Sequence, residues 1–570
     1  MSLYVDDIIL YISSPETSIP PLLELINHFG SFSGYTINWD KSEIMPITPN
    51  ISEEFLQAIP LKKAYNSITY LGVIATKKPS DLLQINWQKK IDQLKQNIEF
   101  WKTLPISMAG RINAIKMVVL PRFLYLFQTV PAFIPLSNFK QLNSIIIPFI
   151  WNYKTVRISQ KHLSKPQSEG GFGLPHFKAY YWAAHLNNIS WWKKGSANSS
   201  NDCPEWLALE RSLCVGTSLP ALLNSPNKID KTVYGDNFVI KNTLRVWKQI
   251  RLYAKAPNTY IDSPICQNHA FAPGLNDPAF NSWTQKGIRE IKDLYLEGHF
   301  ASFEQLCTIY NIPVSHFYKY LQIRDYVRKN IPNFETFCSN ETLEEINNFN
   351  PHNKGAISYF YRIVQRQVQT DTNALKSSWE AELGEEIQEG TWTESLASVH
   401  KCSINSRHNL IQFKTIHRLY YSKDRLHKIF PDVSSLCNRC KMTQGTLAHS
   451  FWSCPKLIVF WKSVFECFSK AFGKNLEPSP LVAILGVTSV LNGINKFESQ
   501  AISLGMVVAK KMILLNWKLE YIPTYEIWIR ELMNVLHLEK LRFSSNNRTH
   551  LFTQIWNPVI EFFMRNEQST

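Results

Sequence analysis

Long hydrophobic runs are missing from this chain, although apolar residues are common in it. The longest uncharged apolar stretch, residues 123–139, contains two prolines and several polar side chains, so it fits a buried or kinked segment better than a membrane span. The first residues do not form a basic segment followed by an apolar core, as a secretory signal would. We therefore expect an intracellular protein, in the nucleus or the cytoplasm or both, with no membrane partner.

Cysteine is scarce and mostly scattered. The chain has 10 cysteines in 570 residues, and three of them share one short segment, which differs from the dense pattern of a disulfide framework. We expect reduced thiols and one metal site. The glycines at 170, 171 and 173 lack the Lys-Ser/Thr of a phosphate-binding loop, so a turn is predicted there.

Acidic residues are outnumbered by basic ones. Lys and Arg total 61 against 46 for Asp and Glu, which gives a formal net charge of +15. This excess favours a polyanionic partner, of which nucleic acid is the commonest, although a basic protein without such a partner has the same composition. The hydrophobic fraction of 45% indicates a folded protein rather than a disordered one.

Two short apolar runs at the start of the chain flank Asp6 and Asp7. Both runs are rich in β-branched and aromatic residues, which predicts a β-hairpin with the two carboxylates at its turn. Two interpretations stay open. The carboxylates bind a divalent cation such as magnesium, as in phosphoryl transfer, or they are ordinary turn residues.

A second group of metal-binding residue types lies near the C-terminus. It consists of Cys437, Cys440, His449 and Cys454. The Cys-x-x-Cys turn presents two thiolates to one ion, and the histidine and third cysteine complete a tetrahedral shell. Soft thiolates and imidazole favour zinc over magnesium or calcium. The sequence therefore predicts a structural zinc site, with unligated residues or a redox cysteine pair as the alternatives.

Helical periodicity dominates the rest of the chain. Residues 18–33 predict a helix that ends at Gly34. We expect Asn86 to cap another helix. The apolar face of that helix consists of Trp87, Ile91, Leu94, Ile98 and Trp101. A third helix is predicted to begin near Ser107 and to kink or end before Pro121.

Several of these segments, in order and at similar spacing, resemble the reverse transcriptase of LINE-type non-LTR retrotransposons. The Tyr-Val-Asp-Asp sequence at 4–7 is similar to the catalytic signature of that family. Residues 34–42 resemble the next palm motif, and residues 70–73 resemble the primer-grip motif. The helices that follow resemble the thumb, and the Cys/His group resembles a CCHC knuckle with a longer inner loop than retroviral knuckles have.

The resemblance implies a catalytic role for three residues. Asp6 and Asp7 would bind magnesium if the palm were completed. Lys41 would help to protonate the pyrophosphate leaving group, although a lone lysine is also an ordinary surface residue. The family places another metal-binding aspartate and the fingers before this hairpin, and only five residues precede Asp6 here. We therefore expect no polymerase activity from the chain as given.

The resemblance also implies contacts with RNA and DNA. In the palm and thumb it points to Tyr70, Gly72, Arg111 and Lys116. The first two also fit a plain β-strand and turn, and the two cations also fit solvated helix faces. Beside the Cys/His group, cations alternate with aromatic residues, which fits phosphate contacts and base stacking. The cations singled out there are Arg418, Lys423 and Arg425.

The expected fold class is α+β, with a truncated reverse transcriptase palm made of a β-hairpin and a helix, a helical thumb, and a mostly α-helical C-terminal region with a CCHC zinc knuckle. The predicted segments are a partial palm (1–80), thumb and post-thumb helices (81–194), a linker (195–240), a helical region (241–400), the basic and aromatic segment with the knuckle (401–470) and C-terminal helices (471–570).

Two functions follow from these expectations. One is a nucleic-acid-binding protein derived from a reverse transcriptase and without catalysis. The alternative is an RNA-directed DNA polymerase that becomes active with an upstream extension or a partner chain. The sequence leaves the oligomeric state open.

Overall fold

A computed structural model describes most of the chain. The described residues are 2–4, 7–48, 51–194, 203–214, 218–224, 237–256, 261, 263–268, 270–331, 341–366 and 371–567. Asp6 lies outside the described residues, as do residues 195–202, 215–217 and 225–236 of the predicted linker. The described chain is mostly helical with a few short strands, which confirms the α+β class in this coarse form.

The strands form two-stranded pairs. They are β1 (Ser2–Tyr4), β2 (Asp7–Ile9), β3 (Glu43–Ile44), β4 (Lys62–Lys63), β5 (Ser67–Tyr70), β6 (Val73–Thr76), β7 (Tyr295–Leu296) and β8 (His299–Phe300). β1 pairs with β2, β5 with β6 and β7 with β8, each antiparallel, whereas β3 and β4 pair in parallel.

The helices account for the rest of the regular structure. The α-helices are α1 (Pro15–Ser33), α2 (Glu53–Ala58), α3 (Pro79–Lys102), α4 (Met108–Ala114), α5 (Leu120–Thr129), α6 (Leu136–Ile150), α7 (Gln160–Ser164), α8 (Phe177–Lys194), α9 (Glu205–Ser212), α10 (Leu219–Asn224), α11 (Phe238–Tyr253), α12 (Pro273–Asn276), α13 (Pro278–Gln285), α14 (Phe303–Tyr310), α15 (Phe317–Asn330), α16 (Glu341–Asn348), α17 (Ala356–Arg366), α18 (Asn373–Leu383), α19 (Glu389–Lys401), α20 (Ser406–Ile416), α21 (Lys423–Ile429), α22 (Ile458–Phe472), α23 (Lys496–Leu515), α24 (Tyr525–Ser545) and α25 (Thr549–Glu567). Short π-helices span Ile115–Val119, His449–Ser453 and Leu481–Leu485, and 3₁₀ turns span Gln167–Glu169, Ile291–Leu294, Val314–His316 and Pro455–Leu457.

The chain divides into two compact units, and each unit is assembled from three separate stretches of sequence. Unit 1 consists of Met1–Phe100, Val118–Asn143 and His176–Gln367. Unit 2 consists of Trp101–Met117, Ser144–Pro175 and Val368–Thr570. Among the described residues, no helix combines the length and the apolar character that crossing a membrane would require.

Two hairpins and a helix in unit 1 follow from local sequence signals. Tyr4 pairs with Asp7 across the β1–β2 hairpin. α1 has proline in its first turn and ends at Gly34, whose φ is 75°, as a left-handed C-cap requires. Leu71 and Gly72 connect β5 to β6 and both have positive φ, which is the turn that a two-residue hairpin prefers.

Asn86 does not cap its helix, so that prediction is wrong. α3 begins at Pro79, and Asn86 is buried in its interior. The Asn86 side chain accepts a hydrogen bond from the Ile74 N–H at 2.9 Å and donates to the Ile74 carbonyl at 2.8 Å. The amide therefore satisfies the backbone of β6. The predicted apolar face of α3 is confirmed for Trp87, Ile91, Leu94 and Ile98, which are buried, whereas Trp101 is half-buried.

Among the described residues, the core of unit 1 contains two groups of helices. α8 packs along α17, where the Tyr180 and Tyr361 rings stack with centroids 3.8 Å apart. A second apolar cluster covers residues 265–331 and includes Phe280 and Trp283, both fully buried. Large aromatic side chains of this kind supply much of the free energy of burial in a helical core.

Unit 2 is packed around α20 and the helices from α22 onward. Trp461 and Trp528 are buried there, and the Trp528 indole donates to the Gly505 carbonyl at 3.0 Å. A Cβ at position 505 would lie 2.4 Å from the Phe468 ring, so only glycine fits at this helix contact. The predicted helix start at Ser107 is confirmed, because its hydroxyl accepts from the Gly110 N–H.

Candidate metal centre

The Cys/His group lies in unit 2 on a tight loop followed by a short π-helix. The Cys437 N–H donates to the Thr443 carbonyl, and the Lys441 N–H donates to the Cys437 carbonyl, each at 2.9 Å. Lys441 has a φ of 57°, which reverses the chain after the second cysteine. These bonds hold Cys437 and Cys440 on one side of the loop, as a two-cysteine metal turn requires.

Close packing forces glycine at the end of this loop. A Cβ at Gly445 would lie 2.9 Å from the Lys423 Cβ and 3.2 Å from the Cys437 Cα. The Gly445 N–H donates to the Ser435 carbonyl at 2.8 Å, so the loop closes on itself. The backbone can approach Cys437 this closely because position 445 carries no side chain.

The other two donors come from the π-helix and the residue after it. His449 begins His449–Ser453, Cys454 ends it, and the Cys454 N–H donates to the His449 carbonyl at 3.1 Å. The turn is wide because a π-helix has more residues per turn than an α-helix. It therefore brings the His449 ring and the Cys454 thiol toward the same point.

The four donor atoms converge. The ligand atoms of Cys437, Cys440, His449 and Cys454 all lie within 4.8 Å of one another. Cys437 Sγ is 3.9 Å from Cys454 Sγ, and Cys440 Sγ is 3.4 Å from His449 Nε2. Two thiolates bound tetrahedrally to one zinc ion lie about 3.8 Å apart. The group can therefore hold a metal ion, and its donors and spacing are compatible with structural zinc.

Hydrogen bonds around the donors orient them. The Thr443 hydroxyl lies 3.3 Å from both ring nitrogens of His449, Nδ1 and Nε2, and 3.6 Å from Cys440 Sγ. It therefore lies beside two of the four donors and restrains the His449 ring. The Ala448 N–H donates to a Glu382 carboxylate oxygen at 2.9 Å, which anchors the residue before His449.

Burial and the neighbouring thiols oppose ionisation of Cys454 in the absence of a cation. Burial, and then the adjacent thiols of Cys437 and Cys440, raise the pKa of Cys454 to about 12. At Cys440 burial also raises the pKa, but hydrogen bonds from the N–H groups of Met442 and Thr443 and from the Thr443 and His449 side chains together outweigh it, so its pKa lies below the usual value. A bound cation deprotonates coordinating thiols, so metal uptake would release protons.

Arg439 is a buried cation within the same loop, and the sequence interpretation did not include it. Its guanidinium donates to the Ser450 carbonyl at 2.7 Å and to the Ile513 carbonyl at 3.4 Å. Burial lowers the pKa of Arg439, whereas Cys437 and Cys454 raise it. One Zn²⁺ with three thiolates carries a net negative charge, and Arg439 lies where it can balance that charge.

Aromatic side chains connect the π-helix that carries His449 to α22. The Trp461 indole donates to the Phe451 carbonyl at 2.7 Å. The Trp452 ring packs against Trp461 and Phe465, with centroids 5.5 and 6.3 Å away. These contacts tie the π-helix that carries His449 to α22.

The N-terminal acidic pair is placed differently. Asp7 is exposed on β2, and Asp6 is outside the described residues. In the part of the chain that the structure describes, Asp7 belongs to no group of three or more His, Cys, Asp or Glu side chains that could hold a metal ion. Lys41 is exposed in a turn, where its N–H donates to the Asn38 carbonyl at 3.1 Å.

The residues of the palm and thumb that were predicted to contact nucleic acid differ in their exposure. Tyr70 ends β5, and Gly72 lies in the exposed hairpin turn that follows. Arg111 is buried, donates to the Phe149 carbonyl at 3.3 Å and lies over the Phe149 ring. Lys116 is half-buried in the Ile115–Val119 π-helix. Arg111 therefore holds unit 2 together from inside.

The three cations beside the Cys/His group also differ from one another. Arg418 forms an ion pair with Glu382 and lies over the Trp379 ring. Lys423 is half-buried at the start of α21. Arg425 is exposed, donates to the Arg418 carbonyl at 3.0 Å and lies over the Tyr421 ring. Of these three, Arg425 presents a cation to solvent. A scan of the chain against models of known protein families finds no match.

Proposed function

We propose that this chain is a nucleic-acid-binding protein descended from a LINE-type reverse transcriptase, and that a structural zinc ion organises its second unit. The observation that carries the proposal is the convergence of three thiols and one imidazole within 4.8 Å, in a motif that resembles the C-terminal knuckle of that family. The net charge of +15 supports a polyanionic partner.

Zinc in this site would supply structure rather than chemistry. Cys437, Cys440, His449 and Cys454 would fill all four positions of a tetrahedral ion and leave none for water or substrate. The ion would fix the loop and the π-helix against α22. Because a preformed site rarely exists in an unfolded chain, the free energy of metal binding adds to the free energy of folding.

The N-terminal segment supports descent from a polymerase palm more than it supports catalysis. The β1–β2 hairpin, α1, the Lys41 turn and the β5–β6 hairpin follow the order of the palm motifs. A two-metal phosphoryl transfer needs carboxylates that converge on the ions. Asp7 is exposed and belongs to no such group among the described residues. We propose that the chain binds nucleic acid without extending a primer on its own.

The test is a titration of the full chain against a fluorescently labelled single-stranded RNA of about 20 nucleotides, which is longer than one binding fold occupies. We expect affinity to fall steeply with salt, by a slope of about 0.7 in log K against log salt for each phosphate contact. Elemental analysis should find about one zinc per chain. Absence of RNA and DNA binding, or binding that ignores ionic strength, would contradict the proposal.

Primer extension on an RNA template with magnesium separates the two functions. Under the proposal, the chain incorporates no nucleotide. Incorporation that Asp6→Asn abolishes and Glu16→Gln leaves unchanged would show that the chain is a polymerase instead. Glu16 is a matched control because it is an exposed carboxylate in the first turn of α1.

A further inference from the structure

Two basic segments of unit 2 that are distant in sequence meet at one aromatic ring. The Arg157 guanidinium lies 4.7 Å from the centroid of the Tyr421 ring, and the Arg425 guanidinium lies 5.1 Å from it. The two guanidinium groups are therefore less than about 10 Å apart. Like charges repel at this distance unless an anion or solvent screens them.

Two lysines extend this cluster. Lys414 is half-buried, and its pKa is lowered by burial and then by Arg157 and Lys154, so these cations are close neighbours. In the part of the chain that the structure describes, none of Lys154, Arg157, Lys414 and Arg425 forms an ion pair with a carboxylate. Other cations of unit 2 do, such as Arg418 with Glu382 and Lys428 with Asp424. We call Lys154, Arg157, Lys414, Tyr421 and Arg425 the Arg157 patch.

Both arginines are held in place while most of their donors stay available. Arg157 Nη1 donates to the Leu419 carbonyl at 3.3 Å, and Arg425 Nη1 donates to the Arg418 carbonyl at 3.0 Å. The Trp517 indole donates to the Tyr421 carbonyl at 2.8 Å, which holds the backbone of the residue whose ring both arginines contact. A guanidinium has five N–H donors in a rigid fork that matches a phosphate. The patch is therefore preorganised for an anion.

An exposed aromatic residue directly precedes Lys154 of the patch in the sequence. Asn152 and Tyr153, at the end of α6, both have positive φ (52° and 58°), which is uncommon for residues with a Cβ. The Tyr153 N–H donates to the Pro148 carbonyl at 2.8 Å. This turn leaves the Tyr153 side chain 55% exposed, directly before Lys154. Lys102 Nζ lies over one face of the ring, 4.8 Å from its centroid. A base of a single strand can stack on the opposite face, whereas bases inside a duplex are already stacked.

We propose that the Arg157 patch binds the phosphodiester backbone of a single-stranded nucleic acid and that Tyr153 stacks on one of its bases. Arg157 and Arg425 contact neighbouring phosphates through their free donors, and Lys154 and Lys414 supply additional positive charge. This inference rests on the proposed nucleic-acid function and names the surface that carries it. It separates this surface from Arg111 and Arg418, which are engaged within unit 2.

The experiment is a titration of the full zinc-loaded chain and the double variant Arg157→Gln/Arg425→Gln. The probes are a labelled single-stranded RNA, the same sequence as DNA, and a duplex. We expect the variant to bind the single strands at least about tenfold more weakly and to lower the salt slope by about 1.4, which corresponds to two phosphate contacts. Lys470→Gln is the matched control, because Lys470 is exposed in unit 2 and paired with Glu466. It should leave affinity and slope unchanged.

A second pair of variants tests the stacked base. Tyr153→Ala should weaken single-strand binding about fivefold or more, and Tyr153→Phe should retain it, because stacking needs the ring and not the hydroxyl. Neither change should alter the salt slope, since neither removes a cation. Equal affinity of Tyr153→Ala and the unchanged chain would remove Tyr153 from the site.

The outcomes distinguish this inference from the function on which it rests. If the unchanged chain binds RNA and the double variant keeps its affinity and slope, the patch is wrong and the proposed function stands. If the unchanged chain binds no nucleic acid, both fail. A preference for the duplex would overturn the single-strand assignment. If the double variant loses its zinc or its thermal transition, it is no longer folded, and the single variant Lys154→Gln tests the patch instead. Lys154 is exposed, and its loss should lower the slope by about 0.7.

Discussion

The two candidate metal sites of this chain differ in where their donors come from. Residues 437–454 supply all four donors of the Cys/His group, and the fold brings them within 4.8 Å. The N-terminal hairpin supplies only carboxylates, and the described Asp7 is exposed. A motif whose ligands all lie in one segment predicts a complete site, because a local loop can close it. A motif that needs a ligand from a distant segment predicts only part of one.

The surroundings of the two sites differ in the same sense. Cys437, His449 and Cys454 are buried, and Arg439 lies beside them. Asp7 faces water, which solvates a carboxylate without help. The buried Cys454 thiol therefore needs a cation to stabilise its thiolate, whereas a carboxylate in water needs none. Three substitutions test this contrast.

The largest effect is expected from Cys454→Ser. Cys454 is fully buried, and losing its thiolate should open the metal shell. Zinc should fall from about one per chain to near none, and the free energy of unfolding should fall by at least about 3 kcal/mol. Elemental analysis and urea denaturation measure the two effects. Cys467→Ser is the control, because Cys467 is a buried cysteine outside the group. If both variants hold the same zinc, the group is not a metal site.

A smaller effect is expected from Arg439→Gln. The change removes the charge that balances the centre and the donors to the Ser450 and Ile513 carbonyls. We expect a loss of about 2 kcal/mol in the free energy of unfolding and faster transfer of zinc to a chelator. Arg565→Gln, which breaks an exposed ion pair with Glu561, should change little. Unchanged zinc transfer in Arg439→Gln would mean that Arg439 does not stabilise the bound ion.

The smallest effect is expected from Asp7→Asn. Because Asp7 is exposed and belongs to no group of three donors among the described residues, the thermal transition, zinc content and RNA affinity should all stay unchanged. Addition of magnesium should not alter this result. Calorimetric titration with magnesium checks the site directly. Magnesium binding that disappears in Asp7→Asn would give the hairpin a metal site and remove the contrast.

Local signals in the sequence predicted features that are built from neighbouring residues. The four donors of the Cys/His group, the helix start at Ser107 and the end of α1 at Gly34 all depend on a few consecutive residues. Asn86 was misassigned because its side chain bonds to Ile74 on β6, a partner that no helix-capping pattern contains. The predicted cap was reasonable locally and was overridden by a tertiary contact.

Local sequence signals could not predict the Arg157 patch either, because the patch also depends on contacts between distant residues. Arg157 and Leu419 are 262 residues apart in sequence, and each segment alone has only a few cations. The sequence drew attention to Arg418 and Arg425 equally, although Glu382 engages one of them and the other is exposed. Whether a cation is free to bind a ligand depends on which acidic side chains the fold places beside it. The sequence alone does not give that tertiary placement.

Unit 2 is built from separate stretches of sequence, and this affects how the chain folds during its synthesis. Residues 101–117 are synthesised more than 250 residues before the stretch Val368–Thr570 that completes their unit. Their apolar side chains lack these packing partners until that stretch is synthesised. Such long-range contacts slow folding and leave the early segments prone to aggregation. In a prematurely terminated chain these segments would therefore lack their packing partners, and chaperones would bind the exposed apolar side chains.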